Sequence, residues 1–398
     1  MADRLTTKDI WNDNDGERLE KKQRKPWKRW PLLLLLLLLV LGTVLVAAYR
    51  DGTGFDVLRR FFSYGTAESA GGEAVYHYDA APDSRFALIG DSLVVLSDSS
   101  LKVLDRSSEE LWSANVKMTS PALEQSGAWA VAYDVGGSGQ LYLLNEKGGA
   151  ASLEPLPEEP ILAATVNEAG YVAVTSEKKN YKGCVTVYDE NLEKVFAFNS
   201  SRRFVLDAYV SDDCKLLAAV TLGQEDGVFV SNVILYDLGK TDPVADYDVQ
   251  DGLVLAIDQM GSSFATVSDT SLSFASLKGE LLGSCRYGGE FLREYSLEGD
   301  GFAALLLNRY RSGSVGRLVT VGPDGQVIAS LPVKEEVQAI SGKGRYLAVL
   351  YLDELVIYNQ DLQVYASLDG IQGARDVLLR PDGSALLLSS EKAKLFLP

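Results

Sequence analysis

The sequence predicts an all-β fold, an eight-bladed β-propeller, behind one N-terminal transmembrane α-helix. Three observations carry this. A nineteen-residue uncharged stretch lies near the start, and a four-strand pattern then repeats every 35 to 47 residues or so from residue 74 onward. The last repeat is one strand short, and a spare strand precedes the first.

The repeat is clearest around residues 160 to 199, where ILAATV, YVAVTSE, GCVTVYDE and EKVFAFN are separated by turns and one longer loop. The same order recurs between Val337 and Leu368 and between Arg85 and Val116. Aligning the second strands gives SLVVLS, WAVAYDV, YVAVTSE, LLAAVTL, SFATVSD, FAALLLN, YLAVLYL and SALLLSS, eight units in all. These runs are nearly continuous in apolar residues, as expected for strands packed on both faces by neighbouring blades. The third strands are expected to alternate, as in VTVYDE from Val185 to Glu190. The loop-rich second unit, Gly136 to Gly149, leaves seven blades as the alternative.

Closure of the ring follows from the edges. ARDVLLRPDGSALLLSSEKAKLFLP stops after three strands, and an open end would expose unpaired backbone groups. AVYHYDA, from Ala74 to Ala80, has no hairpin partner and is expected to become the outer strand of the last blade. His77, the only histidine, then lies on the face opposite Tyr76 and Tyr78 in a structural role.

Ahead of the propeller, residues 31–49 read PLLLLLLLLVLGTVLVAAY. At ~1.5 Å per residue a helix of this length matches a hydrocarbon core of roughly 30 Å. Val46-Ala47-Ala48 would serve as a cleavage site, but the long apolar run and the long, partly acidic leader favour a retained anchor. Lys21, Lys22, Arg24, Lys25, Lys28 and Arg29 crowd its front, which places the N-terminus in the cytoplasm and the propeller outside the cell membrane. The expected layout is a disordered basic stub over 1–30, the membrane helix over 31–49, a juxtamembrane helix and linker over 50–73, and a propeller ectodomain over 74–398. In the juxtamembrane FDVLRRFFSYG, the spacing of Leu58, Phe61 and Phe62 predicts an apolar face with Arg59 and Arg60 turned away. That helix is expected to dock on the domain behind it, or to lie on the outer membrane surface.

The net charge of −17 divides unevenly, with +3 over residues 1–30 and −20 beyond. So acidic an exterior excludes nucleic acid and anionic lipid as partners for it. Cys184, Cys214 and Cys285 form no CxxC pair and are expected to be ordinary small buried residues. A single histidine removes most zinc sites and catalytic triads. GDGF, PDGQ and PDGS, starting at Gly299, Pro323 and Pro381, lack calcium-loop spacing and read as tight turns. Asp212-Asp213, Glu109-Glu110 and Glu335-Glu336 are adjacent carboxylates of the kind a glycosidase uses, but neighbours along a strand or turn point in different directions.

LDRSSEELW, from Leu104 to Trp112, resembles quinoprotein-like blade text in which a strand ends in Asp, a turn follows and a Trp docks between blades. Phe196 and Tyr247 stand at equivalent positions. With RRFFSYG after the membrane stretch, the whole layout resembles an uncharacterised bacterial family of single-pass, membrane-anchored β-propeller proteins, a domain of unknown function with quinoprotein-like and WD40-like relatives. The resemblance implies fold and topology and lends no activity. No residue set matches the calcium and quinone site of eight-bladed quinoprotein dehydrogenases, so no cofactor is expected.

Function is therefore expected in loops. The longest are EKKNYKG (177–183), LGQEDGVFVSN (222–232) and NRYRSGSVGR (308–317). The last gathers Arg309, Tyr310, Arg311 and Arg317 on an acidic body, residue types favoured at binding hot spots. The expectation is a non-enzymatic binding or scaffold module for an envelope protein or cell-wall component, with a hydrolase of wall polymers as the alternative.

Overall fold

In a computed structural model of the chain, the structure describes residues 30–51, 54–65, 69–81, 83–137, 139–153, 159–249 and 252–398. The basic stub lies outside them, as do the side chains flanking the leucine run. Two compact units divide at residue 55.

The first unit contributes α1 (Trp30–Asp51). Its described side chains, Leu33 to Val44, are exposed apart from Gly42. Among the described residues no helix is long and apolar enough to cross a membrane.

The second unit is an eight-bladed propeller of eight four-stranded antiparallel sheets. Seven blades follow the chain in order, over residues 85–115, 121–153, 161–200, 204–249, 254–286, 291–333 and 337–369. The eighth takes three strands from residues 376–397 and its outer strand, Ser69–His77, from the front of the chain, pairing Ser69 with Leu397 and His77 with Lys392. This clasp begins five residues earlier than the sequence pattern suggests, inside the stretch read as linker, because Leu395 and Leu397 offer backbone partners that far out. Tyr76 is fully buried between the last and first blades and its hydroxyl donates to the Asp91 carbonyl, while His77 is exposed.

Second strands are buried along their length, as in Ser92–Leu96, Val172–Ser176, Phe302–Asn308 and Tyr346–Tyr351. The alternation expected of third strands belongs to the fourth ones, such as Glu110–Asn115 and Lys194–Ser200. Third strands are covered by the blades on either side, as Glu354–Asn359 is, so outside the central channel only the outermost strand shows a face to water. Aromatics on the fourth strands seal blade to blade: Trp112 packs on Tyr142 at 6.0 Å between ring centres, and Phe198 stacks on Tyr236 at 4.7 Å.

The stretch 222–232, read as a loop, is a long hairpin. Leu216–Glu225 and Val228–Asp237 pair along their whole length around Asp226-Gly227, both with positive φ, as a two-residue turn of this hand requires. Gly301, Gly325 and Gly383 likewise have positive φ, which makes the three DG sequences turns.

Cys184 and Cys285 are buried and unpaired; Cys214 is only half-buried, in a turn with its Sγ 3.4 Å from Asn167 Nδ2.

Antiparallel strands fix which turns share a face. First strands run parallel around the ring, as the Gly299–Gly344 bridge shows. Turns joining first to second and third to fourth strands therefore lie on one face, here the lower. Those joining second to third strands, and blade to blade, lie on the other, the upper face.

A second helix, α2 (Gly54–Tyr64), docks on the domain behind it, but by the side opposite to its apolar one. From Asp56 onward it belongs to the propeller unit. Asp56 and Arg60 are buried, whereas Leu58, Phe61 and Phe62 are exposed. The cause is the supply of polar partners on the lower face. Arg60 Nη1 donates to the Asp382 carbonyl at 2.9 Å and to Tyr365 Oη at 3.2 Å, and Tyr346 Oη donates to Asp56 Oδ2 at 2.6 Å. Arg380 donates to Tyr64 Oη and, at 3.1 Å, to Tyr76 Oη, so it joins α2 to the clasp strand. Arg106 of the first blade lies over the Tyr64 ring and donates to the Ser63 carbonyl at 3.3 Å.

Candidate functional site

Two regions have functional potential: the central channel and the upper face. The channel is walled by the first strands of the blades, whose inner edges have no further strand to pair with. Side chains from neighbouring blades take that role. Gln125 Oε1 accepts from Leu88 N at 2.7 Å, Asp207 Oδ2 from Ile257 N at 3.2 Å and Glu294 Oε1 from Ile340 N at 3.2 Å. Ser296 Oγ accepts from Gly342 N at 3.0 Å and Ser341 Oγ from Leu379 N at 3.0 Å. Much of the channel's polarity thus completes the backbone hydrogen bonding of the ring.

Other carboxylates remain open to the channel. A cavity of about 460 Å³ spans the second to sixth blades, with Glu124, Asp258 and Glu298 beside Tyr133, Tyr209 and Tyr295 in its wall. Glu298 is held by Lys343 Nζ at 3.1 Å and Gln125 Nε2 at 3.3 Å. Burial pushes Asp258 up to about 7, outweighing a hydrogen bond from Gln259 N, with Glu298 adding to the rise. Burial likewise pushes Asp207 and Glu294 up to about 7. Glu124 is open to channel water though enclosed by the wall; that enclosure, with the charges of Asp207 and Glu298, brings it to about 7. At neutral pH such carboxyls are partly protonated and both donate and accept hydrogen bonds. Among the described residues, no group of carboxylates, cysteines and histidine has a metal-binding arrangement.

These channel residues went unremarked in the sequence. The signal for two of them is an acidic residue inside a mostly apolar first strand, Asp207 in FVLDAYV and Asp258 in VLAIDQM.

The loop residues singled out from the sequence lie on the upper face, whereas the adjacent carboxylates Asp212-Asp213 and Glu109-Glu110 fall in turns of the lower one. Arg309, Tyr310 and Arg311 sit exposed in the turn between Phe302–Asn308 and Gly316–Val321, Arg309 beside the Tyr310 ring at 5.8 Å and Arg311 over Phe291 at 5.5 Å. Arg317 is separated from them in environment, because its Nε is paired with Glu290 at 2.6 Å. The loop 177–183 and the hairpin tip at Val228 and Phe229 also join second to third strands and share this face. The adjacent carboxylates part company: Asp212 accepts from Tyr209 Oη at 3.3 Å, Asp213 from Ser211 Oγ at 2.7 Å and Lys215 Nζ at 2.9 Å.

A closed eight-bladed ring with a walled channel and long loops on one face defines the chain as a β-propeller protein of WD40-like and quinoprotein-like architecture. It belongs to the family of unknown function DUF5711, whose model matches residues 69–367. No curated protein matches it. Among solved structures, the computationally designed Ika8 protein aligns with a TM-score of 0.60 at 14% identity, covering 82% of this chain and 99% of that one. The C-terminal WD40 domain of Sif2 aligns at 0.58 with 14% identity, covering 82% and 98%. BamB from Moraxella catarrhalis aligns at 0.52 with 13% identity, covering 81% and 98%. At these identities the likeness is one of fold.

Proposed function

We propose that this protein is a membrane-tethered, extracytoplasmic binding module, non-enzymatic, whose propeller holds an envelope protein or cell-wall component at the cell surface. The leucine run of residues 31–49 and the basic cluster before it support the tether and its orientation. The observation that carries the binding role is a difference between the faces: α2 covers the lower one at the last two blades and the first, while the upper one presents Arg309, Tyr310 and Arg311 unburied on a strongly acidic body. Such a cluster suits an anionic segment of a partner. A photo-crosslinking residue at Val315 in the full chain, in native membranes, should capture a defined partner. Alanine at Arg309, Tyr310 and Arg311 together should abolish that capture; undiminished capture removes the upper-face loop from the proposal.

One observation favours a second reading, a hydrolase of wall polymers: Glu124 and Asp258 border an open cavity with pKa values near 7, suited to acid–base work. Turnover of purified wall fragments by the detergent-solubilised chain, lost in Glu124→Gln or Asp258→Asn, would establish it in place of the first.

A further inference from the structure

We infer that α2 is an interfacial foot: its polar side clamps the propeller and its apolar side rests in the headgroup region of a phospholipid bilayer, so that the lower face lies on the membrane and the upper-face loops point away. This rests on the tether reading of residues 31–49 given above.

The argument begins with an inversion. A helix packed on a water-soluble domain turns its apolar side inward. Here Asp56 and Arg60 are buried, while Val57, Leu58, Phe61 and Phe62 are 41%, 49%, 53% and 77% exposed. At 100° per residue Leu58, Phe61 and Phe62 fall on one side and Asp56, Arg60 and Tyr64 on the other. The inward side is committed by the Arg60, Asp56 and Tyr64 hydrogen bonds to the last two blades, so the helix cannot roll over to hide its rings without leaving the Arg60 charge and the Asp382 carbonyl without partners.

Chain continuity selects lipid as the occupant. Only residues 52 and 53 separate α1 from α2, a reach of at most about 11 Å. The exposed rings therefore come within about a dozen residues of the leucine run, close enough along the chain for an amphipathic helix to reach the headgroup boundary, where such helices sink about 5–10 Å. Arg59, also exposed, flanks the apolar side as a lipid-phosphate contact. A protein held by both the spanning run and this foot is fixed in orientation as well as in place.

Single cysteines at Phe62 and Leu58, labelled with an environment-sensitive fluorophore in the full chain reconstituted into vesicles, test this, with Val228→Cys on the upper face as control and the parent chain as labelling blank. Lipids brominated near the top of the acyl chains should remove most of the fluorescence at Phe62→Cys and Leu58→Cys and leave Val228→Cys unchanged. No quenching at either foot position, or disulfide formation between two copies at Phe62→Cys in its place, overturns the inference. Alkaline extraction reads the tether separately. A chain that is released yet quenched refutes the spanning helix and leaves the foot standing; a chain retained but unquenched does the reverse.

Discussion

The two faces of this propeller are built from the same turns and hydrogen bonds but serve opposite ends. On the lower face Arg60, Arg380, Asp56, Tyr64 and Tyr76 form one network joining α2, the clasp strand and the last two blades. On the upper face, at Arg309, Tyr310 and Arg311, the charged and aromatic groups lie outside the packed blades. A ring needs one seam where its ends meet, and the seam is where stability is most easily lost. The difference teaches that burial of charge here marks architecture, and exposure of charge marks the surface available for partners.

The comparison breaks most sharply at the clasp. Tyr76 fills the junction between the last and first blades and is fully buried. Tyr76→Ala should cost about 3–5 kcal/mol, as large aromatic deletions in cores do. Thermal unfolding of the full chain in detergent should show it, and a melting temperature equal to the parent's would mean that the clasp is dispensable. Arg60→Ala comes next. It leaves the Asp382 carbonyl and the Tyr365 hydroxyl short of a donor in a buried place and should cost about 2–4 kcal/mol. Arg60→Lys should recover only part of this, since one ammonium cannot reach both partners in a fork.

The fold was largely legible. Eight second strands, buried on both faces, stand out as apolar runs because neighbouring blades leave them no wet side. The strand that closes the last blade was legible too, apart from its first five residues, since a blade of three strands leaves an unpaired edge that calls for a fourth. The orientation of α2 was not. Its apolar spacing is real, but spacing says which residues share a side and not which side meets protein; that was decided by Tyr346, Tyr365 and Asp382, about 300 residues away. The channel carboxylates were hidden for a related reason, because Asp207 and Asp258 become neighbours of one cavity only when five blades are set around an axis.

The channel gives a smaller effect with a definite sign. Asp207, Asp258 and Glu294 have folded-state pKa values near 7, above the values of about 4 in an unfolded chain. The folded state then binds more protons than the unfolded one between pH 4 and 7, so stability is highest at the acid end of that window and falls as pH rises through it. Asp258→Asn should flatten this slope by on the order of 1–3 kcal/mol between pH 5 and 8, read as melting temperature against pH. A slope of the opposite sign would mean that the carboxylates are stabilised as anions, by a bound cation or by water.

The smallest expected effect on stability sharpens the comparison most. Arg309, Tyr310 and Arg311 replaced together by alanine remove two cations and a ring, more side-chain atoms than Arg60→Ala does. Their side chains are exposed in a turn, and exposed substitutions of this kind shift stability by about 0.5 kcal/mol or less. Arg317→Ala should cost somewhat more, because it frees Glu290 from its ion pair. A triple variant that melts with the parent yet loses its crosslinked partner assigns these residues to recognition. One that melts as early as Arg60→Ala would show that the upper face, too, is spent on holding the ring together.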